Sequence, residues 1–121
     1  MQKNHIQKAF FGKDNCLKIT LNYKLECYFE FGTPGKESWN WKPVKFSDME
    51  LGEILLVLEG VKPKISFFHK YKEGQTQIWI NKTDTFFSIK VKELSKGLNP
   101  GEQVVLRELL KHIIVRMNIT I

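Results

Sequence analysis

Arginine is nearly missing from this chain: of 19 basic residues only Arg107 and Arg116 are arginine. Arginine supplies the rigid fork that reads guanine edges in duplex DNA, so base-specific duplex recognition is poorly provided for. Cysteine is as scarce. Cys16 and Cys27 lie in neighbouring strand-like runs, without CxxC spacing or a third partner, and read as reduced thiols rather than a disulfide framework. His5, His69 and His112 are isolated from one another and from the cysteines, so metal-ligand spacing is missing. No phosphate loop, dinucleotide fingerprint or nucleophile elbow occurs. Glu26 and Glu30 share a strand face, but no third catalytic group accompanies them, and they read as surface carboxylates. These absences argue for a protein that is not an enzyme and holds no metal or cofactor.

Long apolar stretches are lacking too. The longest, Ile54–Leu58, is five residues, too short to cross a bilayer as a helix. Met1–Lys8 is polar and basic with no apolar stretch behind it, which predicts no secretory signal and a cytoplasmic protein.

What remains is a chain of 121 residues and 42% hydrophobic content, enough for one domain with its own core. Its net charge of +6 is unevenly spread. Residues 1–24 carry +4, residues 25–60 carry −4 and residues 61–96 carry +5. The positive charge therefore sits in strand-like segments, a pattern that suits a polyanion-binding face.

Two helices announce themselves by their start signals. Ser47-Asp48-Met49-Glu50 is a capping box, followed by Leu51, Ile54, Leu55 and Leu58 at helical spacing and closed by Gly60. Asn99-Pro100-Gly101-Glu102 repeats the device before a stripe of Leu106, Leu109, Leu110, Ile113, Ile114 and Met117. Strands are predicted over 16–23, 25–31 and 41–46, the first pair with Leu17, Ile19, Leu21, Tyr23, Leu25, Cys27, Phe29 and Phe31 facing inward.

The densest signal lies in residues 64–93, where three runs alternate at period two. Ile65, Phe67, Ile78, Ile80, Phe87, Ile89 and Val91 fall on one side. Phe68, Lys70, Trp79, Phe86, Lys90 and Lys92 fall on the other, with Lys72 at a turn. Aromatics among lysines on a water-facing surface suit a flat, anionic ligand, and single-stranded nucleic acid is one. On this reading Phe68, Trp79 and Phe86 stack on bases, while Lys70, Lys72, Lys90, Lys92 and Lys18 neutralise phosphates. Trp39 and Trp41 form a candidate base clamp, or else seal the end of a sheet.

The chain thus reads as an α+β domain of two antiparallel β-meander-plus-helix halves, ββββα-like, with the helices on one side of the sheets. The halves are expected at 9–60 and 61–121 of a single domain, as a degenerate duplication. This doubled plan with a basic aromatic sheet face resembles the Whirly and Pur-alpha group of single-stranded nucleic-acid binders, and also the ThermoDBP-related proteins of archaea. The resemblance implies sequence-tolerant binding of single-stranded DNA, in preference to RNA, across the sheet by dimers or higher oligomers. The other readings are an RNA-binding protein, or an oligomeric interaction module that binds no nucleic acid. Surplus apolar residues on the helices (Met49, Leu56, Val104 and Val115) predict at least a homodimer. The competing arrangement is a monomer whose residues 1–12 fold back over the helices.

Overall fold

The computed structural model describes residues 4–72 and 74–119. Four strands, β1 (Asn4–Phe11), β2 (Cys16–Asn22), β3 (Cys27–Pro34) and β4 (Trp39–Phe46), form a first antiparallel meander and lead into α1 (Asp48–Leu58). A second meander of β5 (Lys64–Tyr71), β6 (Gly74–Lys82), β7 (Phe87–Val91) and β8 (Leu94–Leu98) leads into α2 (Pro100–Asn118). The α+β class and the repeated four-strands-then-helix plan are as the sequence predicts.

Two of these strands escape the sequence pattern. The sequence leaves 4–11 outside any sheet and reads 94–98 as a lead-in to the second helix, yet both are paired edge strands. Their inward positions include Lys8 and Lys96, which interrupt the apolar alternation. Of the segment 1–12 that the fold-back alternative invokes, residues 4–11 are paired into the first sheet, with Ile6 and Phe10 across from Leu21 and Leu17 of β2, and residues 1–3 lie outside the described residues.

A further correction concerns Tyr23 and Leu25, expected inward. Tyr23 is exposed, and Leu25 sits at φ 63° in the turn between β2 and β3. The cause is Asn22, whose Oδ1 accepts from the amides of Lys24 and Glu26 and folds the backbone over before the alternation can continue.

Both capping boxes form as predicted. At α1, Ser47 Oγ accepts from the Glu50 amide at 3.2 Å, and Glu50 Oε1 accepts from the Ser47 amide at 2.9 Å. At α2, Asn99 and Glu102 make the same exchange at 2.8 and 3.0 Å. Gln103, otherwise a polar intruder in the core, donates to the carbonyls of Thr85 and Leu98 and ties the start of α2 to the β6–β7 connection and to β8.

The inward faces of both sheets and the buried stripes of both helices meet in one core. Phe46 stitches it together: its ring lies 4.7 Å from that of Phe29 in the first sheet and 5.8 Å from that of Phe67 in the second. His69, also on the inward side of β5, bonds Glu50 Oε2 at 2.7 Å, so one carboxylate caps α1 and fastens it to the second sheet. With the helices and core on one side, the opposite face of each sheet is left open.

Candidate nucleic-acid interface

The outer face of the second sheet follows from its register. One cross-strand row is Ser66–Trp79–Lys90–Ser95, and the next is Lys64–Asn81–Ser88–Gly97. Phe68 stands across from Gln77 and hence diagonal to Trp79, within reach of a shared ligand. Lys70 and Gln75 complete the face beyond it. Phe68 is 57% exposed, Trp79 44% and Phe86 52%, so each offers a ring to solvent.

Phe86 precedes β7 and folds its ring over Gly97, where a Cβ would overlap it. The Thr83 hydroxyl holds the turn by accepting from the Phe86 amide, while the Phe86 carbonyl accepts from the Thr83 amide. Lys72 and Lys92 occupy the β5–β6 and β7–β8 connections, which lie at the same end of the sheet. Lys92 adopts the left-handed conformation at φ 54° that this two-residue turn requires. Lysine charge thus runs along the face, with Lys70, Lys72 and Lys92 toward one end, Lys90 in the middle and Lys64 at the other end, and the three rings lie among them.

Among the described residues, ion pairs are few on this surface, and none of them falls on this face. Elsewhere Lys45 pairs with Glu26, Lys62 with Glu53, and Lys111 with Glu59 and Glu108. The ammonium groups of Lys64, Lys70, Lys72, Lys90 and Lys92 are free of ion pairs among the described residues.

The remaining candidates lie elsewhere. Lys18, Trp39 and Trp41 belong to the outer face of the first sheet and are not brought together with the lysines of the second. Trp39 and Trp41 sit with ring centroids 6.1 Å apart and planes tilted by 34°. Trp41 lies against Gly32, where a Cβ would come within 2.7 Å of its ring, and the Lys18 ammonium stands 4.1 Å above that ring. Phe11, which the sequence did not single out, extends this cluster at 6.1 Å from Trp39. The outer faces of the two sheets adjoin at a seam where Asn15 Nδ2 donates to the Ser95 carbonyl at 2.9 Å. A small cavity of about 200 Å³ opens there, lined by Cys16, Gly32, Ser95 and the acidic Asp14 and Glu93.

Burial raises the Cys16 thiol and pushes Cys27 up to about 12. Hydrogen bonds from Lys45 and Asn22 lower Glu26, and one from Arg107 lowers Glu108. Among the described residues, no three His, Cys, Asp or Glu side chains gather as a metal site, and no helix is long and apolar enough to cross a membrane.

No protein-family model matches this sequence, and no curated protein matches it either. Among solved structures the chain is similar to MRP1/MRP2 of Trypanosoma bruciei, with a TM-score of 0.72 over 93% of this chain and 86% of that one. The two share 13% sequence identity, so the likeness is one of fold alone.

Proposed function

We propose that this protein binds single-stranded nucleic acid across the outer face of β5–β8, without catalysis. The observation that carries the reading is the half-exposed trio Phe68, Trp79 and Phe86 among lysines that make no ion pair among the described residues. Rings of this kind accept the flat face of any base, and lysines follow the backbone, so this face binds with little sequence preference. The resemblance to Whirly and Pur-alpha proteins favours DNA over RNA. Titration of labelled oligothymidylate tests it: log affinity should fall against log salt with a slope of about −0.7 per phosphate contacted. An affinity indifferent to salt, or a preference for duplex, rejects the reading.

The outer sides of the helices support a second element, self-association into at least a homodimer. Met49 is 78% exposed, and Val104 and Val115 lie about half exposed on the side of α2 away from the core. The N-terminal strand is committed to the first sheet and does not cover them. Pairing through these helices leaves both sheet faces open and joins two basic faces in one particle, which raises avidity for long strands. Light scattering at micromolar concentration decides it, since a mass near the 14.2 kDa of one chain rejects the dimer.

A further inference from the structure

We propose that the open face of the first sheet carries a separate subsite for one guanine base, read by the carboxylate of Glu30. The proposal rests on the single-strand reading above and adds to it a base preference that the second sheet does not supply.

Register again defines the surface. Its rows run Gln7–Thr20–Tyr28–Lys45, then Ala9–Lys18–Glu30–Pro43, then Phe11–Cys16–Gly32–Trp41. Between these rows lies a concavity of about 420 Å³, lined among others by Gln7, Lys18, Thr20, Tyr28, Glu30 and Pro43. That volume lies within the range of small-ligand pockets, about 300–1,000 Å³.

Glu30 is the unusual member. It stands on an interior strand directly across from Lys18, an arrangement in which opposite charges ordinarily pair. Lys18 instead directs its ammonium to the face of Trp41. Among the described residues Glu30 has no ion pair and accepts no side-chain hydrogen bond, although it is half-buried. Its neighbour Glu26, by contrast, is bonded by both Lys45 and Asn22. A partly buried carboxylate without donors is costly to maintain and poised to accept them from a ligand.

The chemistry of that acceptor selects the ligand. A carboxylate repels phosphate, so the Glu30 position itself does not serve the backbone. The Glu30 carboxylate itself offers two acceptor oxygens side by side and no donor, while the Gln7 amide and the Thr20 and Tyr28 hydroxyls line the groove around it. Guanine presents two adjacent donors, N1–H and the 2-amino group, on its Watson–Crick edge. Adenine and cytosine place an acceptor beside their amino group, and thymine and uracil flank one N–H with carbonyls. Guanine is therefore the base that meets Glu30 with two charge-assisted hydrogen bonds. Tyr28 and Pro43 on the groove walls offer apolar surface to the base plane, and Lys18 at the rim suits the phosphate of the same nucleotide.

The test compares oligothymidylate of 15 residues with the same strand carrying one central guanine. Wild-type protein should bind the guanine strand about tenfold tighter, the scale of one bidentate base contact. Glu30→Gln keeps one acceptor but introduces a donor, and should reduce that ratio to near one, while oligothymidylate affinity should not fall because the substitution removes a charge that repels phosphate. The substitution removes no bond that the fold uses, so the variant should melt as the wild type does. Guanosine 5′-monophosphate, titrated alone with the backbone amides of residues 28–30 as reporters, reads the groove independently of the second sheet. Shifts with this nucleotide but not with thymidine 5′-monophosphate, lost in Glu30→Gln, support the proposal even if oligothymidylate fails to bind. Equal affinity of wild type for both strands, or a guanine preference that survives Glu30→Gln, overturns it. Failure of oligothymidylate to bind, with no effect of Trp79→Ala on any strand, overturns the second-sheet reading instead.

Discussion

Phe86 rests on Gly97: its ring occupies the space that a side chain at position 97 would need. Gly97 belongs to β8 and Phe86 to the turn before β7, so the edge strand of the second sheet dictates where the ring lies. Gly97→Ala should therefore push Phe86 off the open face without touching the core. The expected result is a loss of about 1 kcal/mol or more in oligonucleotide affinity, matching the loss of one base-stacking contact. Thermal unfolding of the variant should stay within a few degrees of the parent, because the displaced ring is already half in solvent. An unchanged affinity would remove Phe86 from the interface.

Trp79 sits at the centre of the same face, directly across from Lys90. Trp79→Ala should weaken binding by about 1–3 kcal/mol at fixed salt while leaving the fold intact. Lys90→Gln should act differently, cutting the salt slope by about 0.7 if its phosphate contact is lost. The intrinsic fluorescence of Trp79 should respond to added oligonucleotide, with Trp39 and Trp41 replaced by phenylalanine to isolate it.

The two capping boxes provide an internal comparison. Glu102 serves only the start of α2, whereas Glu50 caps α1 and also bonds His69 across to β5. Glu102→Ala should cost about 1 kcal/mol, in line with the loss of a cap. Glu50→Ala should cost about 1 kcal/mol more, the usual net contribution of an additional hydrogen bond. Urea denaturation of both variants checks the difference, and equal losses would show that the His69 bond adds nothing.

Burial holds the Cys27 thiol neutral, pushing it up to about 12 from an ordinary 9.0. The unfolded chain releases this proton first, so above pH 9.0 it binds fewer protons than the native state and stability falls as pH rises toward 12. At neutral pH both states keep the thiol protonated and the effect vanishes. Cys27→Ala should lose stability at pH 7 through its cavity, yet decline less steeply than the parent across the alkaline range. Iodoacetamide at pH 7 should label Cys27 only after denaturant is added.

Much of the open face was legible in the sequence, because period-two alternation assigns Phe68, Trp79 and Lys90 outward whatever lies beneath them. The helices were legible for a similar reason, each capping box being a local signal. What the pattern hid were strands whose inward positions carry lysine. Lys96 turns inward on β8 and satisfies its ammonium on the Gly97 carbonyl at 2.9 Å, a solution that composition does not reveal. Tyr23 and Leu25 were misplaced because alternation was extended through Asn22, whose side-chain hydrogen bonds end the strand. The groove around Glu30 was invisible for another reason. That Lys18 prefers Trp41 to the carboxylate facing it depends on side-chain geometry, and strand spacing alone would have paired the two charges.

Every strand in both sheets is hydrogen-bonded to its neighbour in sequence, through connections of four residues or fewer. Hairpins of this size close in about 1–10 μs, and none has to wait for a remote segment to be synthesised or to diffuse into place. Each sheet can therefore assemble progressively as the chain leaves the ribosome. The slow event left to folding is the meeting of two preformed layers at Phe46 and Phe67, and a bulky-to-small change at either ring should lengthen that step while leaving hairpin formation untouched.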